Sequence, residues 1–333
     1  MTPPTTLDPL DQLAAWARDG RGVALATVAA TWGSSPRPVG SHMAVADNGE
    51  FAGSVSGGCI EGAVVEAARA AIASGKPQML EYGVTNEAAW EVGLACGGRI
   101  QVFVQPKPVV LEELQAARAA HRLCAVVTDT HSGAQLLVDG DTLSGDLCLS
   151  DDEVMEARGR IAADKSGIAP YGHLVRVYAP EPRMVIVGAV HIAQALAPMA
   201  KIAGFAVTVI DPREGFAKSG ALAGIDAIVA WPDEAMAGIE PDARTAVVTL
   251  THDPKLDDPA LAAALKSEAF YIGALGSRKT HAKRLERLAE AGFTGDDIAR
   301  IHGPVGLDIN ALTPAEIAVS ILAQVVAALR REL

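Results

Sequence analysis

The chain has 333 residues, half of them hydrophobic and a fifth charged, which is an ordinary globular composition with room for two domains. Its formal net charge of -12 argues against a nucleic-acid partner bound through a broad basic face. Four cysteines are too few for a disulfide framework and contain no CxxC pair for zinc. The first residues lack a signal-peptide pattern, and the longest apolar stretch, 317–329, is too short for a membrane span. We therefore expect a cytoplasmic protein with reduced thiols.

The first third of the chain predicts a small α/β domain, placed at residues 1–106. Val-, Ala- and Thr-rich runs alternate with helical spacing, and Asn48-Gly49 marks the tight turn of a hairpin. The predicted elements are, in order, a helix, a strand, a two-stranded hairpin, a helix that stops at Gly75 and two further strands (7–18, 22–31, 43–46 with 51–55, 60–74, 79–82 and 99–105).

The remaining chain predicts a connecting α/β segment, 107–181, and a Rossmann-like domain, 182–333. The connecting segment has a helix, two strands and an exposed helix (111–121, 123–128, 134–138 and 151–165). From residue 184 short apolar runs alternate with helices (strands 184–187, 206–210, 227–230, 246–250 and 270–272; helices 192–203 and 259–266). This alternation is typical of a doubly wound parallel sheet.

A glycine-rich stretch with a cysteine, Gly53-Ser-Val-Ser-Gly-Gly-Cys-Ile-Glu61, lies where a strand turns into a helix. Its Ser56, Gly57 and Gly58 precede the helix, so their N–H groups are expected to be free to bind an anion at the positive end of the helix dipole. Cys59 is placed in the first helical turn, where a thiol pKa is typically lowered. A second stretch, Gly93 to Gly98, repeats the pattern with Cys96, Gly97 and Gly98.

Ser34, Ser35 and Arg37 supply two hydroxyls and a guanidinium within four residues, a combination that suits a phosphate. The alternative is a Ser-Ser-Pro turn with a solvated arginine, but the two cysteine loops favour a site. Cys124 and Cys148 have no comparable glycine-rich stretch beside them and are expected to be small core residues.

In the predicted Rossmann-like domain, Gly188-Ala-Val-His191 follows the first strand, and Asp211 ends the second where a ribose-binding acid is expected. Val190 replaces the glycine that lets a pyrophosphate approach the backbone, so the pattern favours the fold without conventional NAD binding. A nucleotide-like ligand in another pose stays open as the alternative.

Further polar residues follow strands at the carboxyl edge, where doubly wound sheets bind ligands. His191 and His252 are candidates for acid–base or ligand roles, although a lone histidine at a helix start is more often a local hydrogen-bonding group. The other candidates at this edge are Gly276, Ser277, Arg278 and, in a segment late enough to cover the crevice, Asp308.

Long stretches in both halves resemble the XdhC/CoxI family, the xanthine dehydrogenase accessory factors. The matching stretches are 33–37, 53–61, 93–98, 209–213 with Asp211 and Arg213, 271–278, 304–308 and 313–321. The first Rossmann loop departs from the family's Gly-Ala-Gly-His at Val190. The resemblance leaves out mainly the middle of the chain.

The resemblance implies that the protein binds the molybdenum cofactor, a phosphorylated or nucleotide-bearing pterin dithiolene. It implies help with sulfuration of the cofactor and its insertion into a molybdenum hydroxylase, with a cysteine desulfurase as a second partner and a homodimer as the assembly. Cys59 and Cys96 are then the first contact candidates, Cys59 for the molybdenum itself, and Glu61 is counted with the glycine-rich loop among the residues expected to bind the cofactor. Two alternatives stay open: an NAD(P)-dependent oxidoreductase that uses His191 or His252, and a protein-interaction scaffold with no small-molecule ligand.

Overall fold

The computed structural model describes residues 8–33, 37–83, 98–217 and 220–331. The chain divides into two compact units, Met1–Pro180 and Glu181–Leu333. None of the described helices is long and apolar enough to cross a membrane.

The first unit begins with a five-stranded antiparallel sheet. Its strands are β1 (Val23–Trp32), β2 (His42–Ala46), β3 (Phe51–Gly53), β4 (Gln78–Tyr82) and β5 (Arg99–Pro106), in the order β3-β2-β1-β5-β4. The predicted hairpin is present, with Val45 opposite Phe51 and Gly49 at a φ of 87° in the turn. Two helices, α1 (Pro9–Arg18) and α2 (Glu61–Ser74), accompany this sheet.

Strand β1 is buried on both faces because helices cover both sides of the sheet. Its Ala24, Ala26 and Val28 face the core that contains α2, whereas Val23 and Leu25 face the core that contains α1. This follows from the two-residue period of a strand, which sends successive side chains to opposite faces. The near-continuous apolar run that predicted β1 is therefore the sequence of a strand with no solvent-facing side.

The connecting segment forms a second five-stranded antiparallel sheet within the first unit, in the order β8-β7-β6-β10-β9. The strands are β6 (Cys124–Thr128), β7 (Gln135–Asp139), β8 (Thr142–Gly145), β9 (Gly167–Ile168) and β10 (Leu174–Tyr178), with helices α3 (Leu111–Ala119) and α4 (Asp151–Ala162). Sequence analysis found β6 and β7 but missed the other three strands. Residues of α1, α3 and both sheets share one core cluster.

The second unit is a six-stranded parallel sheet in the order β13-β12-β11-β14-β15-β16. The strands are β11 (Arg183–Val187), β12 (Ala206–Ile210), β13 (Asp226–Ile228), β14 (Thr245–Thr249), β15 (Tyr271–Ala274) and β16 (Ile301–His302). Counted within the unit this order is 3-2-1-4-5-6, that of a Rossmann fold, in which the strand order reverses between β11 and β14. The predicted fold class, an N-terminal α/β region followed by a Rossmann-like doubly wound sheet, is confirmed.

Helices pack on both faces of the parallel sheet. They are α5 (His191–Ile202), α6 (Glu214–Ala217), α7 (Pro232–Ile239), α8 (Pro254–Leu265), α9 (Arg278–Glu290), α10 (Gly295–Ala299) and α11 (Pro314–Arg331). On β11, Met184 and Ile186 join the core of α5 and α11, whereas Val185 and Val187 join the core of α8. The sequence pattern did not predict α7 and α9, the short helices α6 and α10, or strand β16.

Candidate functional site

The glycine-rich loop between β3 and α2 is held by one internal carboxylate. Oε1 of Glu61 accepts from the Ser54 hydroxyl (2.6 Å) and from the N–H groups of Ser56 (2.9 Å) and Gly57 (3.1 Å). Oε2 accepts from the Ser56 hydroxyl (2.6 Å) and the Gly58 N–H (2.9 Å). At either end of the loop Val55 and Ile60 are buried in the core. The loop is thus a closed structure with its own anion at the centre.

The electrostatics of Glu61 match this arrangement. Burial opposes ionisation of the carboxyl, but the hydrogen bonds from Ser54 and Ser56 outweigh burial and lower its pKa to about 2. The carboxylate therefore occupies the N–H groups of Gly57 and Gly58. This corrects the prediction that these N–H groups are free for an external anion.

The Cys59 thiol lies at the open side of this loop. Cys59 is a free, exposed cysteine, and its N–H donates to the Ser56 hydroxyl at 3.1 Å. The helix begins at Glu61 with Ile60 as its N-cap, so Cys59 precedes the helix rather than lying in its first turn, which corrects that prediction. Among the described residues other than its chain neighbours, no atom lies within 4 Å of a methyl group added at Gly58, the residue before the cysteine.

The other two described cysteines differ in their burial. Cys124 is buried in β6, as predicted, and burial raises the pKa of its thiol to about 11. Cys148 is exposed, so the prediction that it is a core residue is wrong. Its neighbours Leu147 and Leu149 pack against the core of the second sheet, which turns the residue between them outward.

Four of the predicted N-terminal site residues, Ser34, Ser35, Cys96 and Gly97, lie outside the described residues. Arg37 is exposed beside the undescribed segment 34–36, and Gly98 is buried just before β5.

In the second unit the first Rossmann loop makes a close backbone contact. Gly188 has a φ of 102°, and a Cβ there would come within 2.3 Å of the Thr251 Cγ2. A glycine is therefore required at this position. Val190 is half-buried and packs against the core instead of standing free over the loop. His191 begins α5 and is exposed.

Asp211 is fully buried and its carboxylate is occupied within the chain. Its oxygens accept from the Ala189 N–H (2.8 Å) and from the Arg213 backbone N–H (2.9 Å), Nε (2.9 Å) and Nη2 (2.7 Å). Burial opposes ionisation, but the Arg213 bonds outweigh it and lower the pKa of Asp211. A ligand at this edge would meet the Arg213 side chain, which is 46% exposed, before it met Asp211.

The loop after β14 is held by a second buried acid, Asp257. Its Oδ1 accepts from the Thr251 hydroxyl at 2.6 Å, and its Oδ2 accepts from the His252 N–H at 3.1 Å. His252 has a φ of 64°, an uncommon conformation for a non-glycine residue, and its side chain is exposed. Asp257 also pairs with the buried Arg284 at 3.4 Å.

The loop after β15 caps the helix that follows it. The Ser277 hydroxyl accepts from the Thr280 N–H at 3.1 Å, and Gly276 has a φ of 145°. Arg278 and, further along the chain, Asp308 are exposed. Within the described residues, no group of three or more His, Cys, Asp and Glu side chains is placed to hold a metal ion.

Comparison with known proteins shows which family this chain resembles. The model of the XdhC and CoxI family matches residues 16–83, and that of the XdhC Rossmann domain matches residues 184–325. The chain is 30% identical over 308 residues to the molybdenum cofactor insertion chaperone PaoD of Escherichia coli, covering 92% of this chain and 83% of that protein. The chain belongs to the XdhC/CoxI family.

Two further similarities support this family assignment and the fold. The chain is 26% identical over 323 residues to a probable xanthine dehydrogenase subunit of Bacillus subtilis, covering 94% of this chain and 95% of that protein. A crystal structure of a xanthine dehydrogenase from Bacillus halodurans superimposes with a TM-score of 0.76 at 24% identity, covering 98% of this chain and 96% of that one. At that identity the superposition speaks for the fold alone.

Within this XdhC/CoxI fold, sequence reasoning missed two residues of the sheet's carboxyl edge. Asp257 and Arg284 are both buried, at 1% and 2% exposure. Arg284 lies in a strongly basic run, 278–287, which is typical of a solvated helix face, so the sequence carries no signal for its burial. For Asp257 there was a weak signal, because it follows the helix start at Pro254 and neighbours the apolar Leu256.

Proposed function

We propose that this protein binds the molybdenum cofactor and supports its sulfuration and insertion into a xanthine dehydrogenase-type molybdenum hydroxylase. The observation that carries the proposal is the 30% identity, over 92% of the chain, to a protein named as a molybdenum cofactor insertion chaperone. Because this similarity extends through both units, it favours a role shared by the two proteins and not only a shared fold.

The group of this chain best suited to contact the cofactor is the Cys59 thiol. Sulfur is a soft ligand that suits molybdenum, and this thiol is exposed on a loop fixed by Glu61. The N–H groups of Gly57 and Gly58 do not fit a role in holding the cofactor's phosphate, because Glu61 already occupies them. When bound, the cofactor supplies the molybdenum centre that the client hydroxylase requires.

Other proposed contacts come from each unit separately. In the first unit they are Ser34, Ser35, Arg37, Cys96, Gly97 and Gly98; in the second they are Gly188, His191, Arg213, His252, Gly276, Ser277, Arg278 and Asp308. Of these, the exposed residues with side chains able to contact a ligand are Arg37, His191, Arg213, His252, Ser277, Arg278 and Asp308.

The test is made on protein purified anaerobically from cells that synthesise the cofactor. Bound molybdenum and the fluorescence of the oxidised pterin are measured for the wild type, Cys59→Ala and Cys148→Ala. Cys148 is the matched control, since it is also a free and exposed cysteine. We expect near-stoichiometric pterin in the wild type and the control, and a clear loss in Cys59→Ala.

The outcomes separate the function from the site. Wild-type protein without pterin or molybdenum would contradict the function. Pterin retained in Cys59→Ala would keep the function but refute Cys59 as the contact. Equal loss in both variants would mean that the cysteines matter only for general stability.

An NAD(P)-dependent oxidoreductase is not favoured. The strand order is that of dinucleotide-binding folds, but Val190 replaces a glycine of the dinucleotide-binding pattern, and both oxygens of Asp211 accept hydrogen bonds within the chain. For the partners, we propose a molybdenum hydroxylase client, a cysteine desulfurase and a second copy of this chain. Affinity capture from the same cells tests the first two, and light scattering of the purified protein tests the homodimer.

A further inference from the structure

A cavity in the second unit lies beside the loop after β14 and the first turns of α9. Its volume is about 310 Å³, and its walls include His252, Thr280, Lys279, Lys283, Arg284 and Arg287. A volume of this size corresponds to roughly ten water molecules, which is more than a single small ion needs. It lies at the carboxyl edge of β14 and β15, since His252 follows β14 and Lys279 and Thr280 belong to the helix that follows β15.

The inner wall of the cavity contains a buried cation with unused donors. Arg284 is 2% exposed, and its Nη2 donates to the Leu275 carbonyl at 2.8 Å and to Asp257 at 3.4 Å. Its Nε and Nη1 are buried and have no hydrogen-bond partner anywhere in the described parts of the chain. Burying a cation with unsatisfied donors costs several kcal/mol, so native proteins rarely keep one without a ligand or water that satisfies it.

Asp257 satisfies only part of the charge and hydrogen-bonding capacity of the Arg284 guanidinium. The Asp257 carboxylate is closer to the Thr251 hydroxyl, at 2.6 Å, than to the guanidinium. Burial raises the pKa of Asp257 above its usual range, so this carboxyl group is itself held at a desolvation cost. The same burial lowers the pKa of Arg284. An anion in the cavity would stabilise the guanidinium that Asp257 supports incompletely.

The outer wall of the cavity carries excess positive charge. Arg287 is neutralised by Asp258, which it contacts at 2.6 and 2.9 Å. Lys279 and Lys283 are exposed one helical turn apart, and within the described residues neither forms an ion pair. Like charges at positions i and i+4 repel each other across a helix face. An anion between them converts this repulsion into attraction.

We propose that this cavity binds the phosphate group of a phosphorylated small molecule. A planar guanidinium, two lysine ammonium groups and the N-terminal end of a 13-residue helix together match the charge and acceptor geometry of phosphate. The space beyond the size of one phosphate accommodates the organic part of such a molecule. The proposal does not depend on cofactor binding by the first unit.

The test uses isothermal titration of the full-length protein at low ionic strength with three probes: inorganic phosphate, glycerol 3-phosphate and inorganic sulfate. The variants are Lys279→Gln and Lys283→Gln. The control is Lys255→Gln, which removes an exposed lysine from α8 that does not line the cavity. Because both cavity lysines are exposed, their removal leaves the fold intact.

We expect phosphate or its ester to bind the wild type, with the dissociation constant rising about tenfold in each cavity variant and remaining unchanged in the control. Tighter binding of glycerol 3-phosphate than of inorganic phosphate supports an organic phosphate as the occupant, whereas equal binding of the two probes would overturn that assignment in favour of the free ion. No binding of either phosphate probe, an equal loss in Lys255→Gln, or sulfate that binds as tightly as both would overturn the proposal. His252 lines this cavity and is also one of the proposed cofactor contacts, so pterin content of the same protein is measured in parallel and distinguishes failure of this proposal from failure of the proposed function.

Discussion

The carboxylate of Glu61 offers the sharpest test of the architecture around Cys59. In Glu61→Gln an amide nitrogen must replace one of the two oxygens. At Oε2 it would face the Gly58 N–H, and at Oε1 it would face the N–H groups of Ser56 and Gly57. Backbone donors cannot turn away, so at least one hydrogen bond is lost and the others lose their charge-assisted part.

The size of the effect follows from the pKa. A shift from the usual 4.5 to about 2 corresponds to about 3 kcal/mol of stabilisation. Water at the open side of the loop screens part of this interaction, so we expect a loss of about 2 kcal/mol, or roughly 4–8 °C in Tm for a unit of this size.

The effect of pH has a definite sign. The pKa of Glu61 is lower in the folded than in the unfolded state, so its contribution is complete above about pH 4.5 and is lost as the pH falls towards 2. The Tm difference between wild type and Glu61→Gln should therefore be largest near pH 7 and shrink as the pH is lowered from 5 to 4.

The assay is thermal unfolding followed by circular dichroism. Glu66→Gln is the matched control, since Glu66 lies on the same helix, is 74% exposed and has only a surface ion pair with Arg69 at 3.5 Å. Its Tm should stay close to that of the wild type. If Glu61→Gln unfolds within 1 °C of the wild type at pH 7, the carboxylate does not hold the loop and our reasoning is refuted.

Two further predictions concern the second unit and the thiols. Gly188→Ala should lower the free energy of unfolding by at least about 2 kcal/mol, because the added Cβ would collide with Thr251 in a backbone conformation that disfavours alanine. Urea unfolding measures this change, and an unchanged midpoint would contradict the contact. In native protein a thiol reagent should modify the exposed Cys59 and Cys148 rapidly and the buried Cys124 only after unfolding. Peptide mass spectrometry identifies the labelled cysteines, and early labelling of Cys124 would show that β6 is not a buried core strand.

Much of the fold was predictable because its strands are marked by local pattern. The runs at β1, β11 and β14 consist of apolar residues and threonine apart from Arg183 at the start of β11, and Asn48-Gly49 and Gly75 mark a turn and a helix end by their backbone preferences. The strand β10 was missed because Arg176 interrupts its apolar run. In the structure the Arg176 guanidinium lies over the Tyr178 ring, 4.7 Å from its centroid, and this cation–π contact stabilises the charge within the strand. No sequence pattern predicts such a contact.

The candidate site was predictable in its position and less so in its chemistry. The glycine-rich loop and Cys59 were found from composition and spacing. Glu61 was expected to bind the cofactor, but both of its oxygens are occupied by its own loop. That role could not be predicted, because an acid at a helix start is equally typical of a simple favourable interaction with the helix dipole. Similarly, Arg284 looks like its solvated neighbours until the packing of α9 on the sheet buries it.

The segment 304–308 was expected to lie where it could cover the crevice, and its anchoring bears on how it moves. Oε1 of Gln324 accepts from both the Gly306 N–H (2.7 Å) and the Tyr271 hydroxyl (2.6 Å), while the Ser320 hydroxyl donates to the Leu307 carbonyl (2.6 Å). Ser320 and Gln324 both lie on α11, whose neighbouring Ile321 and Val325 are fully buried. In hydrogen exchange, the Gly306 amide should therefore be protected to the same degree as α11 itself, because the segment can open only together with that helix. The segment 304–308 is therefore attached to α11 through hydrogen bonds to two side chains of that helix.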